Sequence, residues 1–332
     1  MSDRAALIRK RKSEHLKVCL SKRIESGVSN GFERVRFANE AAPELDWADL
    51  NTRTEFLGHK LAAPFMITAV TGGCVEARKI NADFAKACEV EGVALGLGSQ
   101  RPMFEGVLDG FDARKHAPTA FIAGNLGATQ LRDHGIREAS RLVREAQVDA
   151  LCVHFNPLQD AVQKDGDRKW RGCLDALRDA CADVGVPVIA KEVGAGISFS
   201  TAKKFADAGV AAIDVAGVGG SSWSLVEKMR SGSPEAEAYA DWGLPTAEAL
   251  VQCSEAVRLP LIASGGMRSG LDVAKAVRLG ATLGGAALPF LRAQKAGRVQ
   301  AEMARWKKEL EIAMFCTGSR DLRALRSAEL LR

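Results

Sequence analysis

The heptapeptide HFNPLQD, His154 to Asp160, sets an imidazole, two amides and a carboxylate directly after the apolar run VDALCV. A chain has little structural reason to gather so many fixed polar groups at the mouth of a core strand, so they read as a site for a polar ligand. Two glycine-rich turns carry a second signal. SGGMRSG, 264–270, follows an apolar run and opens a helical pattern; GGAA, 284–287, precedes LPFLRAQKAG. Such turns present backbone N–H groups to an anion, helped by a helix N-terminus, and Arg268 adds a charge-assisted contact. The plainer reading is two tight turns. The basic run RKRKSEH near the N-terminus is either a solvated helix face or a clamp over an anion, and composition alone favours the solvated face.

Other apolar runs also end in short polar residues beside glycines: TAVTGG (68–73), GSQR (98–101), GNLG (124–127), KEVG (191–194) and GVGGSSW (217–223). Together they offer Thr68, Thr71, Ser99, Asn125, Lys191 and Ser221. Small hydroxyls and an amide beside glycines suit a planar polar ring that must come close to the backbone, and a flavin is such a ring. Lys191 has two readings. A lysine near the N1 and O2 edge of a flavin stabilises the anionic reduced form; alternatively it forms a structural ion pair with Asp214. Trp223 either walls an apolar pocket or packs in the core. No GxGxxG follows the first strand, and there is no HExxH, nucleophile elbow or Walker loop.

These residues need a scaffold. Eight candidate strands cover 63–69, 93–98, 119–125, 149–155, 186–192, 211–217, 260–266 and 281–287. Most are apolar throughout, as strands covered on both faces should be. Amphipathic segments such as EARKINADFAKACEVEG lie between them, and several end in Gly, a helix stop. Eight β-then-α units predict an α/β fold, a (β/α)8 TIM barrel with an N-terminal extension, rather than a doubly wound sheet. A barrel places every loop after a strand on one face, where the two glycine-rich turns fall in the seventh and eighth positions that favour phosphate. Residues 1–62 are expected to form the extension and contribute to the site, with 63–332 forming the barrel. PELDWADLNTRTEFLGHKL should cover the barrel's bottom or its outside. Residues 231–246 read as a partly mobile insertion, and the stretch from 288 to about 315 as a long helix.

Bulk properties narrow the class. The 332 residues are 47% apolar and 26% charged, which fits an ordered globular chain. No apolar window of about 18 residues could span a membrane, and the charged N-terminus is not a secretory signal. A cytoplasmic location is expected. The eight cysteines show no CxxC and read as small buried hydrophobes in a reducing compartment. A net charge of +5 and 6% aromatics suit an anionic small molecule, and argue against nucleic acid.

The same motifs resemble the type 2, FMN-dependent isopentenyl diphosphate isomerase family. RKSEH (11–15), TAVTGG, GSQR, GNLG, HFNPLQD, KEVG, DVAGVGGSSWS and SGGMRSGLDVAKAVRLGA match that family's motifs in order across nearly the whole chain. The resemblance implies interconversion of isopentenyl and dimethylallyl diphosphate, with reduced FMN as acid/base, NADPH as flavin reductant and Mg2+ on the diphosphate. It implies a homo-oligomer, tetramer or octamer. FMN would meet Ala69, Val70, Thr71, Ser99, Asn125, Lys191, Ser221, Gly266, Met267, Arg268, Gly285 and Ala286. The diphosphate would meet Arg11, Lys12, Arg101, His154, Asn156 and Gln159, with His154 and Gln159 in catalytic roles and Asp160 on the metal. This reverses the composition-only reading of the basic run. The chain departs from the family at Asp160, where the family carries Glu, at Phe155 for Leu, Val70 for Met and Ser221 for Thr. Another reading therefore stands beside the first: a diverged FMN barrel enzyme acting on another prenyl or phosphorylated substrate, possibly with net redox.

Overall fold

Strands without polar alternation need cover on both faces, and the fold supplies it. The computed structural model describes residues 3–21 and 24–331. The expected extension (1–62) thus includes positions 1, 2, 22 and 23, and the expected barrel position 332, that lie outside the described residues. Among the described residues, eight parallel strands close into a barrel. They are β3 (Phe65–Ile67), β4 (Ala94–Gly96), β5 (Ile122–Gly127), β6 (Ala150–His154), β7 (Val188–Lys191), β8 (Ala212–Asp214), β9 (Leu261–Ser264) and β10 (Leu283–Ala286). Closure pairs β10 with β3, Gly285 opposite Met66. Seven lie inside the expected runs; β5 begins inside 119–125 and runs on to Gly127.

Helices return the chain between strands: α2 (Val75–Glu91), α3 (Ala128–Ala146), α4 (Pro157–Val162), α5 (Cys173–Asp183), α6 (Phe199–Asp207), α7 (Trp223–Ser231), α8 (Glu235–Ala238), α9 (Thr246–Ala256) and α10 (Gly270–Arg278). Their ends follow local chemistry. Ser198, Ser222 and Ser269 accept from the backbone N–H groups of Thr201, Leu225 and Asp272, respectively, and so cap α6, α7 and α10. Gly92 stops α2 in the left-handed region. The expected single helix after residue 288 is two: α11 (Leu288–Lys295) and α12 (Val299–Phe315), followed by α13 (Leu322–Arg326). Gly297, at φ 68°, breaks the run, because that backbone turn cannot continue a right-handed helix.

The bottom of the barrel is plugged. A hairpin of β1 (Thr54–Phe56) and β2 (His59–Leu61) turns through Leu57 and Gly58, both at positive φ. Its Phe56 and Leu61 pack with Met66, Ala94, Phe121, Ala123, Ala150 and Ala212 from the barrel interior. The small interior alanines leave room for the rings, and Phe56 meets Phe121 edge to face at 5.4 Å. The segment takes both expected placements: the hairpin plugs the bottom, while Trp47 packs on Phe315 of α12 at 5.5 Å, outside the barrel.

The top is roofed by α1 (Asp3–Ser21), which ion pairs latch down. Arg9 of α1 and Arg78 of α2 both donate to the buried Asp109, at 3.0 and 2.6 Å. Ser13 donates to Glu76, and His15 pairs with Glu227 of α7 at 3.0 Å. The insertion at 231–246 is anchored rather than loose: Ser26 Oγ and the Gly27 N–H donate to its Asp241 at 2.6 and 2.7 Å. All eight cysteines are free thiols; Cys316 is exposed, against the expectation of burial, because it follows the last turn of α12 at the surface.

Because Phe56 fills the barrel floor, Phe56→Ala should cost about 3–5 kcal/mol through the cavity it leaves. Chemical denaturation checks this; a loss under 1 kcal/mol would show that the hairpin only rests on the barrel.

Candidate active site

Between α1 and the C-terminal strand ends lies a cavity of ≈ 420 Å³. The HFNPLQD segment builds one wall. His154 ends β6, and Asn156 precedes α4, whose first turn carries Gln159 and Asp160. Asn156 Nδ2 donates to Gln159 Oε1 at 3.2 Å and to Asp160 Oδ1 at 3.3 Å, so one amide sets both side chains. His154 Nδ1–H donates to Asn125 Oδ1 at 2.8 Å, which fixes the ring. The loop after α4 folds back so tightly that a Cβ on Gly166 would lie 2.0 Å from the Asp160 carbonyl oxygen. Phe155 does not line the cavity; its ring packs on Phe205 at 4.7 Å.

Cations crowd this end. Arg11 and Lys12 reach in from α1, and Arg101 from the short 3-10 turn Arg101–Glu105. Burial, then Arg11, pulls the Lys12 ammonium down to about 8. Burial, then Lys191 and Lys12, drives His154 down to about 3, so the imidazole is neutral. Asp160 moves the other way, up to about 6, through burial and then Asp167. Buried positive groups that depress one another form a site short of an anion. Arg11 donates to Asp165 at 3.1 Å, and Asp165 also lies 3.6 Å from Arg230.

The other end is built for a ring and a phosphate. Ala69, Val70, Thr71, Ser99, Asn125, Lys191, Ser221, Gly266, Met267, Arg268 and Ala286 all line the cavity, as do Arg11, Lys12, Arg101, His154, Asn156, Gln159 and Asp160. Gly285 does not; the space its side chain would take is held by Thr68 Cγ2, 2.5 Å from an added Cβ. Lys191 stands 3.5 Å from Asp214, as its ion-pair reading expects, and it also lines the cavity. Trp223 likewise lines the cavity and packs edge-on against His15 at 5.4 Å.

The phosphate expectation needs one correction. The N-terminus of α10 is already filled: Asp272 accepts from Arg268 N–H, Ser269 from Asp272 N–H and Glu309 from Gly270 N–H. What faces the cavity is the turn before it, Gly265 to Arg268, and the start of α11 at Ala287 and Leu288. Arg268 is half exposed and shares Glu25 with Arg292, at 2.9 and 3.2 Å.

The sequence reading gave no role to His15, although it quoted it within RKSEH, and it missed Glu25, Glu227 and Arg292. Glu227 is fully buried, receives Arg230 at 2.8 Å and meets His15, which lines the cavity. It lies four residues after Trp223, on the same helix face, and a carboxylate there was a usable signal. Glu25 and Arg292 had none.

The comparisons with known proteins agree with this architecture. Residues 132–332 match the family model described as FMN-dependent dehydrogenase. A lactate oxidase of Pediococcus acidilactici superposes with a TM-score of 0.70 at 17% identity, covering 98% of this chain and 94% of the other. A mandelate oxidase carrying a monooxide FMN adduct superposes with a TM-score of 0.68 at 18% identity, covering 99% of each chain. Fold and site thus define a flavin-type (β/α)8 barrel, and the donors present fit FMN: small hydroxyls, one amide, a lysine and glycine turns around a cavity large enough for a ring.

The relatives narrow the class further. The isopentenyl-diphosphate delta-isomerase of Xanthobacter autotrophicus is 46% identical over 97% of both chains. That of Archaeoglobus fulgidus is 43% identical, over 97% of this chain and 95% of its own. The chain belongs to the type 2 isopentenyl-diphosphate delta-isomerase family.

Lys12 is charged below about pH 8 and loses its proton above it. Binding of inorganic diphosphate should therefore weaken as pH rises from 7 to 9, approaching tenfold at most per pH unit. Lys12→Arg should flatten that profile, since a guanidinium stays protonated; an identical profile in the variant would remove Lys12 from the anion site.

Proposed function

We propose that the chain interconverts isopentenyl and dimethylallyl diphosphate, with reduced FMN as the acid/base and Mg2+ on the diphosphate. Family membership and one observation support this. The cavity is divided: Arg11, Lys12 and Arg101 form a cationic end, while Ile8, Leu16, Trp223, Val226 and Leu288 give it an apolar lining. A short hydrocarbon on a diphosphate has that polarity.

The reaction adds a proton to one alkene carbon and removes one from another, and neither carbon is acidic. Positioning is therefore most of the protein's task. When bound, reduced FMN supplies the proton donor and acceptor, and NADPH serves as its reductant. Arg11, Lys12 and Arg101 take the diphosphate charge, and Asn156 and Gln159 orient it. His154 enters neutral, and the arriving anion raises its affinity for a proton at Nε2. Helix α1 keeps water from the hydrocarbon end. Lys191 serves the polar edge of the ring.

Among the described residues no group of three or more His, Cys, Asp or Glu could hold a metal. Asp160 is a single hard oxygen donor, which fits Mg2+ that takes its other ligands from phosphate and water. Its side chain is one methylene shorter than the family's Glu, and a bridging water would span the difference. Phe155 does not line the cavity, so Asp160 is the departure within HFNPLQD that bears on chemistry. We place the enzyme in the cytoplasm as a homo-oligomer, consistent with its free thiols and its family. No described helix is long and apolar enough to cross a membrane.

The enzyme with FMN, NADPH and Mg2+ should convert isopentenyl diphosphate to dimethylallyl diphosphate with no stoichiometric NADPH loss. Bound, reduced FMN without product would sink the proposal. NADPH consumed one for one with turnover would establish the diverged redox reading instead. Asp160→Ala should lose more than about 100-fold in turnover and weaken Mn2+ binding followed by its electron spin resonance, with FMN affinity unchanged. Full activity and unaltered Mn2+ binding would remove Asp160 from the metal site.

A further inference from the structure

Lys191 has a neighbour whose place in the site neither family nor motif assigns. Asp214 ends β8 directly opposite Lys191 in the strand register. Its side chain is 3% exposed, and Lys191 Nζ stands 3.5 Å from Oδ2. Its other oxygen, Oδ1, accepts from Ser264 Oγ of β9 at 2.5 Å. Asp214 does not line the cavity, whereas Lys191 and Ser264 both do. Three adjacent strands thus end in a line of hydroxyl, carboxylate and ammonium, the carboxylate set behind the cavity wall and the other two in it.

The other charges near Lys191 do not substitute for this carboxylate. Glu192, the next residue, turns its carboxylate to the N–H groups of Val193, Gly194 and Ala195, the first two at 2.6 Å. It leaves only its backbone carbonyl, which accepts from Lys191 Nζ. His154 on β6, opposite Lys191, is neutral, and Cys152 is a buried thiol whose proton is held by burial. Lys12 and Arg101 add positive charge nearby. An ammonium has three N–H donors. The Glu192 carbonyl occupies one and Asp214 stands 3.5 Å away as the ion-pair partner, which leaves a donor for the cavity.

We propose that Asp214, supported by Ser264, is the positioning residue that holds the Lys191 side chain aimed at the cavity. The flavin that Lys191 faces is thereby kept in its anionic reduced form. This rests on the reading that Lys191 meets the flavin. Asp214 carries no proton in the reaction; it acts through Lys191. Its negative charge alone would disfavour an anionic flavin, so a positioning role and a bare charge effect have opposite signs.

The test is a pH titration of the dithionite-reduced holoenzyme, following the absorbance change between neutral and anionic reduced FMN. Asp214→Asn, close in shape, should move the transition upward by about one pH unit, tenfold in proton affinity. Ser264→Ala should shift it the same way by less, and provides the test if Asp214→Asn fails to fold. In a Lys191→Met background neither substitution should add a further shift. A downward shift, no shift, or an equal shift without Lys191 would overturn the assignment of Asp214. If Lys191→Met itself leaves the transition in place with FMN bound, Lys191 does not face the flavin, and both the reading and the inference fall.

Discussion

The mouth of this barrel concentrates positive charge out of water. Lys12, Arg11 and Arg101 meet over His154 and Lys191, and the depressed proton affinities of Lys12 and His154 register burial first and the repulsion second. Such a cluster is unfavourable to fold around unless charges elsewhere hold its carriers in place. Much of the unusual chemistry of the fold does this. Asp109 holds Arg9, Asp165 holds Arg11, Glu227 holds His15 and Arg230, and Asp214 holds Lys191. These carboxylates stand behind or beside the cations and leave their inner sides to the ligand.

This arrangement divides the molecule by function. The barrel core is apolar and tolerates strands of three to six residues because its floor is filled by the hairpin rings of β1 and its interior alanines fit around them. The polar work sits on loops and on α1, which is joined to the barrel by side-chain pairs more than by a shared core. Cofactor and substrate ends meet at β5 to β7, where Asn125, His154 and Lys191 stand on neighbouring strands. One amide, Asn125, holds the imidazole of the diphosphate end while itself lining the ring end.

Much of this could be read from the chain. Eight buried strands announce themselves as apolar runs without alternation, and the polar residues after them fall on one rim by topology alone. That is why nearly all the motif residues converge on one cavity. Three kinds of feature were not legible. Gly285 sits inside a matching motif, but the period of a strand turns it into the barrel against Thr68. The break at Gly297 is one residue in a long amphipathic pattern. The ion pairs that seat α1 join residues about 100 to 212 positions apart, as Arg9 to Asp109 and His15 to Glu227 do. No local spacing encodes such a pair. Composition alone therefore left the basic run on the solvated side, and only its resemblance to a known motif pointed inward.

The plugged floor has a consequence for traffic. With Phe56 and Leu61 filling the lower end, the cavity among the described residues opens at the upper end, where α1 lies across it. Whatever seats against the strand ends must pass before whatever seats beneath the helix. On the proposed reading the nucleotide is first in and last out, held while the smaller molecule occupies the threshold, and a reduced flavin would carry over from one turnover to the next.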